Sequence, residues 1–530
     1  MKRIVISLGL VFFLPFVVRS QVVAKTQSVP QKPRIVITTD PELDDLNSLL
    51  RFLLYSTDFQ IEGLIYASSQ FHWKGDGRGT KLRVPGREYT RFGLDMCPCE
   101  SWRWNPEETF IHDAVDAYAQ VYENLIIHHR EYPNPEVLRS KIRYGNIEFD
   151  GDISKDTPGS GLIRELILDK QSGPLYLSAW GGHSTIARAL KSIQDEFQNG
   201  PQWTQLQAQI SQKVILLPSG DQDNTYETYI QPNWPNIPYH QVQDGSNYGF
   251  TAPLGASTQD SLYLTAEWTQ NYVSSKGPIG EMYRVWGDGK QMVKNDIFDF
   301  FGVATEPADA LRKKGYVVWM PIQEPGAFIS EGDTGTFMNL LNNGLAGGTY
   351  PEFGGWGGRI PPGKGINDPF ANGPDVDAAL LQKDTAGNSS ELFKQLQQRL
   401  SYFPALQRDF AARMHWSVTP GFADANHNPQ LEITGTLPKK INGENPIIIQ
   451  YLVSDPDGDS VHLRYHLIAS NGEIMTSGKK DNAHLDNELV IAKPTAAPLE
   501  SEYHLILEAR DNNDIPLSKY QHLIINFEGK

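Results

Sequence analysis

Apolar residues follow two different rhythms along this 530-residue chain. In the first part, short continuous apolar runs alternate with stretches of helical period. Residues 34–39 (Arg-Ile-Val-Ile-Thr-Thr) read as a buried strand, and leucines 46, 49, 50, 53 and 54 then line one face of a helix. Residues 61–67 form a second apolar run. The alternation resumes with 174–180, a helix over about 184–197 carried by Ile186, Ala189, Leu190 and Ile193, and a further run at 213–218. Residues 316–320 read as a late strand. Strands alternating with helices predict an α/β fold, a mostly parallel Rossmann-like sheet with helices on both faces. Ligands of such sheets bind beyond the carboxyl ends of the strands, so the loops after Thr39, Ala67, Trp180 and Pro218 are the places to look.

From about residue 430 the rhythm changes to short alternating strands, at 447–453, 461–467, 503–507 and 522–527, separated by turns. This predicts a C-terminal all-β, immunoglobulin-like sandwich. The expected organisation is an export signal over 1–20, an α/β domain over 33–417 and the sandwich over 418–530. Residues 391–415 have helical period. The glycine- and proline-rich stretch 345–373 carries aromatic residues and reads as a packed loop bordering a site rather than a linker.

Lys2-Arg3 followed by an apolar stretch to Val18 is the pattern of an export signal, too short for a spanning helix, so a periplasmic or extracellular location is expected. The formal charge is 47 − 63 = −16, which gives no general attraction to nucleic acid or anionic lipid. The two cysteines, Cys97 and Cys99, exclude a disulfide framework. Their i,i+2 spacing is expected to strain a bridge, and two thiolates alone make a poor zinc site.

The sharpest chemical signal is Thr39-Asp-Pro-Glu-Leu-Asp-Asp45, where a strand ends and a helix begins. Asp44 and Asp45 suit a helix N-terminus, which leaves Asp40 unexplained. Buried together, these acids require protonation or a cation, and oxygen-only ligands suit Ca²⁺.

The motifs Thr38-Thr-Asp-Pro-Glu-Leu-Asp-Asp-Leu-Asn47, Phe71-His-Trp-Lys-Gly-Asp-Gly77, Trp180-Gly-Gly-His-Ser-Thr-Ile-Ala187, Gly220-Asp-Gln-Asp-Asn-Thr225 and Glu331-Gly-Asp-Thr334 together resemble the calcium-dependent nucleoside hydrolases. Within that superfamily they are most similar to the secreted cellulose-binding proteins with a nucleoside-hydrolase-like domain. The resemblance implies that Asp40 is both calcium ligand and general base, that Asp44, Asp45 and the distal Asp333 are ligands, and that Ser184 supplies a backbone carbonyl. It implies attack of water on the anomeric carbon of a ribosyl or related sugar. The alternative is a carbohydrate-binding protein that keeps the metal pocket without turnover. Glu42 departs from the glycine usual in the motif, and Gly332 stands where a histidine usually precedes the distal aspartate.

His72 and His183 follow strands and are candidate catalytic acids. Asn47, Ser68, Trp73, Asp223, Asn224, Trp234 and Trp356 are the expected contacts to a small-molecule or glycan substrate, a ribosyl compound or plant polysaccharide; Trp180 is a further candidate stacking face. In the C-terminal part, residues 454–460 (Ser-Asp-Pro-Asp-Gly-Asp-Ser) lack the EF-hand order and read as a hairpin turn rather than a calcium loop. All 11 tryptophans lie at or before Trp416, so a glycan platform there would rest on tyrosines such as Tyr451, Tyr465 and Tyr503.

Overall fold

Five parallel strands form the central sheet of the computed structural model: β1 (Arg34–Thr39), β2 (Gln60–Tyr66), β3 (Ile142–Tyr144), β4 (Leu175–Ala179) and β5 (Val214–Pro218), in the order β3-β2-β1-β4-β5. The structure describes residues 32–242, 248–250, 252–360, 402–435, 446–470, 472–492 and 502–526. The expected leader at 1–20, the loop beyond residue 360 and the helical stretch before residue 402 lie outside them.

Alternation along β1 sorts the two cores. Ile35 and Ile37 join the larger one with α1 (Leu43–Leu54) and α2 (Phe110–His128). Val36 points to the opposite core, against α3 (Pro158–Leu168) and α4 (Ser184–Phe197), with α5 (Trp203–Lys213) on the same side. Both faces of the sheet are therefore covered, which is why its strands read as continuous apolar runs. Because β1 pairs with β2 on one side and β4 on the other, the chain reverses direction between β1 and β4. That switch point opens a crevice at the strand ends.

α6 (Phe403–Trp416) packs into the larger core and is the described part of the helix expected over 391–415. Beyond it, β6 (Gln430–Ile433), β7 (Ile447–Ser454) and β10 (Glu488–Ile491) form one antiparallel sheet. β8 (His462–Ala469), β9 (Ile474–Lys480), β11 (Glu502–Arg510) and β12 (Ser518–Asn526) form a second. Ile447, Ile449, Tyr451, Leu463, Leu505 and Leu507 fill the space between them. On the other face of the second sheet, Ile468, Ile506 and Tyr520 join the larger core.

Three expectations change. Residues 316–320 are not a strand: Val317 donates to the Ile297 carbonyl at 2.9 Å, but no ladder forms, and Val318 and Met320 instead bury against Phe300 and Phe301. A short apolar run signals burial, and this one is a core-packed loop. The 454–460 segment is not a hairpin turn, because β7 and β8 belong to different sheets and the loop crosses between them. Cys97 and Cys99 are joined as a disulfide; their Cα atoms are 4.6 Å apart, inside the bridging range of about 4.4–6.8 Å. Among the described residues no helix is long and apolar enough to cross a membrane.

Candidate functional site

At the carboxyl end of β1, Asp40 is fully buried, and α1 begins three residues later with Asp44 and Asp45 in its first turn. Asp45 Oδ1 accepts the Thr39 hydroxyl at 2.5 Å and the Asp40 N–H at 3.1 Å, which ties the helix start to the strand end. Ser69, after β2, donates to Asp40 Oδ2, and His72 Nδ1 stands 3.5 Å from the same oxygen. Asp333 lies beside Asp45 and the Ser219 hydroxyl. Gly181, after β4, closes the opposite wall; a Cβ there would stand 3.0 Å from the Asp40 carboxyl carbon.

Two side chains of α1 bring the distal acid to this point. The buried Asn47 amide donates to the carbonyls of Arg284 and Ser330, at 3.0 and 3.1 Å, and accepts the Arg284 N–H at 2.8 Å. One turn on, Arg51 forms a fully buried ion pair with Glu331, Nε to Oε2 2.5 Å, and its guanidinium lies 3.7 Å from the Phe410 ring centre. Segment 330–333 is thus fastened along α1. Asn47, expected at the substrate, has both ends of its amide committed to backbone and acts as a positioning residue.

The electrostatics of the cluster are unfavourable as they stand. Burial first, then the Asp40 carboxylate, pushes Asp44 up to about 7. Burial and Asp333 raise Asp45 well above the carboxylate range, and burial and Asp44 do the same to Asp333. Asp40 Oδ1, Asp44 Oδ1 and Asp333 Oδ2 are buried and accept no hydrogen bond. Unpaired buried oxygens of this kind are costly, and a hard cation is one way to satisfy them. The donor chemistry therefore fits a hard divalent ion, with Glu42, Asp44 and Asp45 offering carboxylate oxygens within 4.8 Å of one another and Asp40, Glu42 and His72 forming an overlapping group.

Gly332 has a steric reason. A Cβ at this position would approach Asp44 Oδ2 to 2.3 Å, so no side chain, histidine included, fits with Asp44 where it is.

Beside the acids lies a small pocket of about 30 Å³ whose walls include Glu42, His72, Arg103, Phe250, Phe301 and Trp319. Burial, Asp44 and Asp40 raise Glu42 well above its ordinary range. Arg103, in the left-handed region at φ 45°, spans Glu88 at 2.8 Å and Asp296 at 2.7 Å. A polar end next to an aromatic wall is the usual make-up of a small-ligand site.

Comparison with known families decides the chain's affiliation. The family model of the cellulose-binding Sde182 nucleoside hydrolase-like domain matches residues 34–360, and that of the cellulose-binding protein Sde0182 C-terminal domain matches 451–527. The chain belongs to this cellulose-binding Sde182 family. A solved nucleoside hydrolase-related hypothetical protein from Saccharophagus degradans, described as associated with carbohydrate metabolism, is 21% identical. The match covers 94% of this chain and 100% of that one with a TM-score of 0.59, a likeness of fold. Comparison with curated proteins finds no match.

In this Sde182-family chain the remaining expected residues are distributed as follows. Ser184 opens α4 and its N–H donates to Asp223 Oδ2 at 2.9 Å. Ser68 donates to the carbonyls of Asn146 and Phe149 at 2.8 and 3.1 Å. Asn224, at φ 62°, accepts from Arg87 at 2.7 Å. His183 is buried beside Asp221 and Asp223, and only His72 of the two histidines lines the cavity. Trp73, Trp180, Trp234 and Trp356 are all buried in cores, as are Tyr451 and Tyr503. Trp319, only half-buried, is the tryptophan on the cavity wall, and it lies in the run expected as a strand.

Proposed function

We propose that the chain is an exported, Ca²⁺-dependent hydrolase of a glycosidic bond, acting on a ribosyl compound or a related sugar. The observation that carries this reading is the set of buried, unpartnered carboxylate oxygens on Asp40, Asp44 and Asp333 beside an aromatic-walled cavity. Asp40, Asp44, Asp45 and Asp333 would hold the ion. A bound Ca²⁺ supplies charge neutralisation and makes an associated water easier to deprotonate. Asp40 is the proton acceptor, with Ser69 fixing its Oδ2 oxygen. His72, between Asp40 and the cavity, is the residue that would hold a proton for a leaving group. Phe250, Phe301 and Trp319 supply apolar faces for the sugar and exclude water. The reading is tested by following sugar release from nucleosides, aryl ribosides and plant oligosaccharides. Wild-type protein with calcium should turn over at least one class, and Asp40→Asn should lose that activity by orders of magnitude while folding normally.

Gly332 favours a second reading. With no side chain before Asp333, the histidine usual in nucleoside hydrolases is missing, and the family description is one of cellulose binding. On this reading the same pocket retains a carbohydrate without cleaving it. Glycan retention in affinity electrophoresis, with no sugar released from any screened compound, would select it.

A further inference from the structure

A second cluster sits across the glycine loop from the acids just described. His183, Asp221 and Asp223 offer one imidazole nitrogen and two carboxylate oxygens within 4.8 Å of one another. All three are buried, and His183 is 0% exposed. We propose that these residues form a separate divalent transition-metal site, of the zinc class, at the ends of β4 and β5.

The imidazole argues for it most strongly. Neither ring nitrogen of His183 makes a well-formed hydrogen bond, although the ring is buried against Tyr226 and Tyr239, whose centroids each lie 5.9 Å from it. A buried histidine without a partner is expensive. Its Nδ1 stands 3.5 Å from Asp221 Oδ1, longer than a good hydrogen bond. Two ligands held at zinc distances in a tetrahedron are about 3.3 Å apart, so the spacing suits ligands sharing an ion better than donor and acceptor.

The two acids also have structural duties. Asp221 accepts the N–H groups of Tyr226 and Glu227 at 3.2 and 3.0 Å. Asp223 accepts the N–H of Ser184 at 2.9 Å and, from Thr225, the N–H at 3.0 Å and the hydroxyl at 2.6 Å. Those bonds orient the carboxylates and leave lone pairs to spare, since each carboxylate has about four acceptor sites. They are what metal ligands normally receive from their surroundings. Gly182 is kept side-chain-free by the same packing, because a Cβ there would meet Asp223 Oδ2 at 2.2 Å.

The donor set separates the two sites chemically. One imidazole with two carboxylates suits zinc or a similar first-row ion, whereas Asp40, Asp44, Asp45 and Asp333 offer oxygen and suit a hard cation, with His72 the one imidazole beside them, so changing His72 is the control that separates the two sites. An ion at His183 would tie the loop after β4 to the loop after β5. It would thereby fix Gly181 against Asp40, a structural role rather than a catalytic one.

The test uses metal-depleted full-length protein titrated with Zn²⁺ in the presence of excess Ca²⁺. Wild type and His72→Gln should each retain one zinc per chain with equal affinity. Loss of outer-shell partners alone costs 10- to 100-fold, so His183→Gln should weaken binding by at least about 100-fold. Should that variant fail to fold, zinc-edge X-ray absorption of the wild type must show one imidazole nitrogen with oxygen ligands at about 2.0–2.2 Å. Zinc held as tightly by His183→Gln as by wild type, zinc lost on changing His72 instead, or an absorption spectrum without imidazole would each overturn the assignment. Calcium stoichiometry measured on the same samples reports on the Asp40 cluster independently, so failure of one site is distinguishable from failure of the other.

Discussion

Removing the cation from the Asp40 cluster should make the protein's stability depend on pH in a specific sense. Take Asp44, raised from 3.8 to about 7 by burial and by Asp40. Below pH 3.8 the group is protonated in both the folded and unfolded chain and contributes nothing. Between pH 4 and 7 the unfolded chain releases the proton while the folded chain retains it, so stability falls as pH rises. Above pH 7 the full difference is present. Three pH units at 1.36 kcal/mol each give about 4 kcal/mol, worth roughly 5–10 °C in melting temperature. A bound cation neutralises the carboxylates and removes this penalty. The assay is thermal unfolding of metal-depleted protein, with and without added calcium, from pH 5 to pH 8. The calcium-dependent gap in melting temperature should widen from pH 5 to about pH 7 and then level off. A gap that is absent at pH 8, or equal at both ends, refutes the reasoning.

Further consequences follow from single contacts. Gly332→Ala places a methyl 2.3 Å from Asp44 Oδ2 and should lower calcium affinity at least about tenfold, because either Asp44 or the distal segment must move; calorimetry showing unchanged affinity would contradict this. Arg51→Met strands Glu331 as an unpaired buried charge and should cost about 3–5 kcal/mol in urea unfolding, and a loss under 1 kcal/mol would mean the clamp is unimportant. Trp319→Ala should reduce depletion of the full chain from solution by insoluble cellulose several-fold, at a cost in melting temperature because Trp319 also packs on Phe250 and Phe301, whereas unaltered retention would move the glycan surface away from the cavity.

Four of the five strands were legible in the sequence because they are buried on both faces, whereas the three-residue edge strand β3, with only Ile142 buried, was not; Asp40, Asp44 and Asp45 were legible because a strand end and a helix start bracket them. Asp333 was reached only through the family resemblance, since nothing local marks it. Its position depends on Asn47 reaching the carbonyls of Arg284 and Ser330, and on Arg51 reaching Glu331. Such pairings across more than 230 positions leave no periodic trace. The tryptophans show the converse error. An aromatic near a strand end serves equally well as core, and Trp73, Trp180, Trp234 and Trp356 are core, while Trp319 was hidden in a run that resembled a strand. Asp223 was expected only as a substrate contact, and Asp221 only as part of a motif. Their proximity to His183 is visible only once β4 and β5 lie side by side.

The most direct test of the account is a calorimetric titration of Ca²⁺ into metal-depleted wild-type protein and into Asp45→Asn. The substitution keeps an oxygen for the Thr39 hydroxyl and the Asp40 N–H, so folding should survive. One calcium per chain in the wild type, weakened at least about tenfold in the variant, is the expected result. No calcium binding by the wild type, or equal binding by both proteins, would mean that the four acids at the end of β1 are not a cation site.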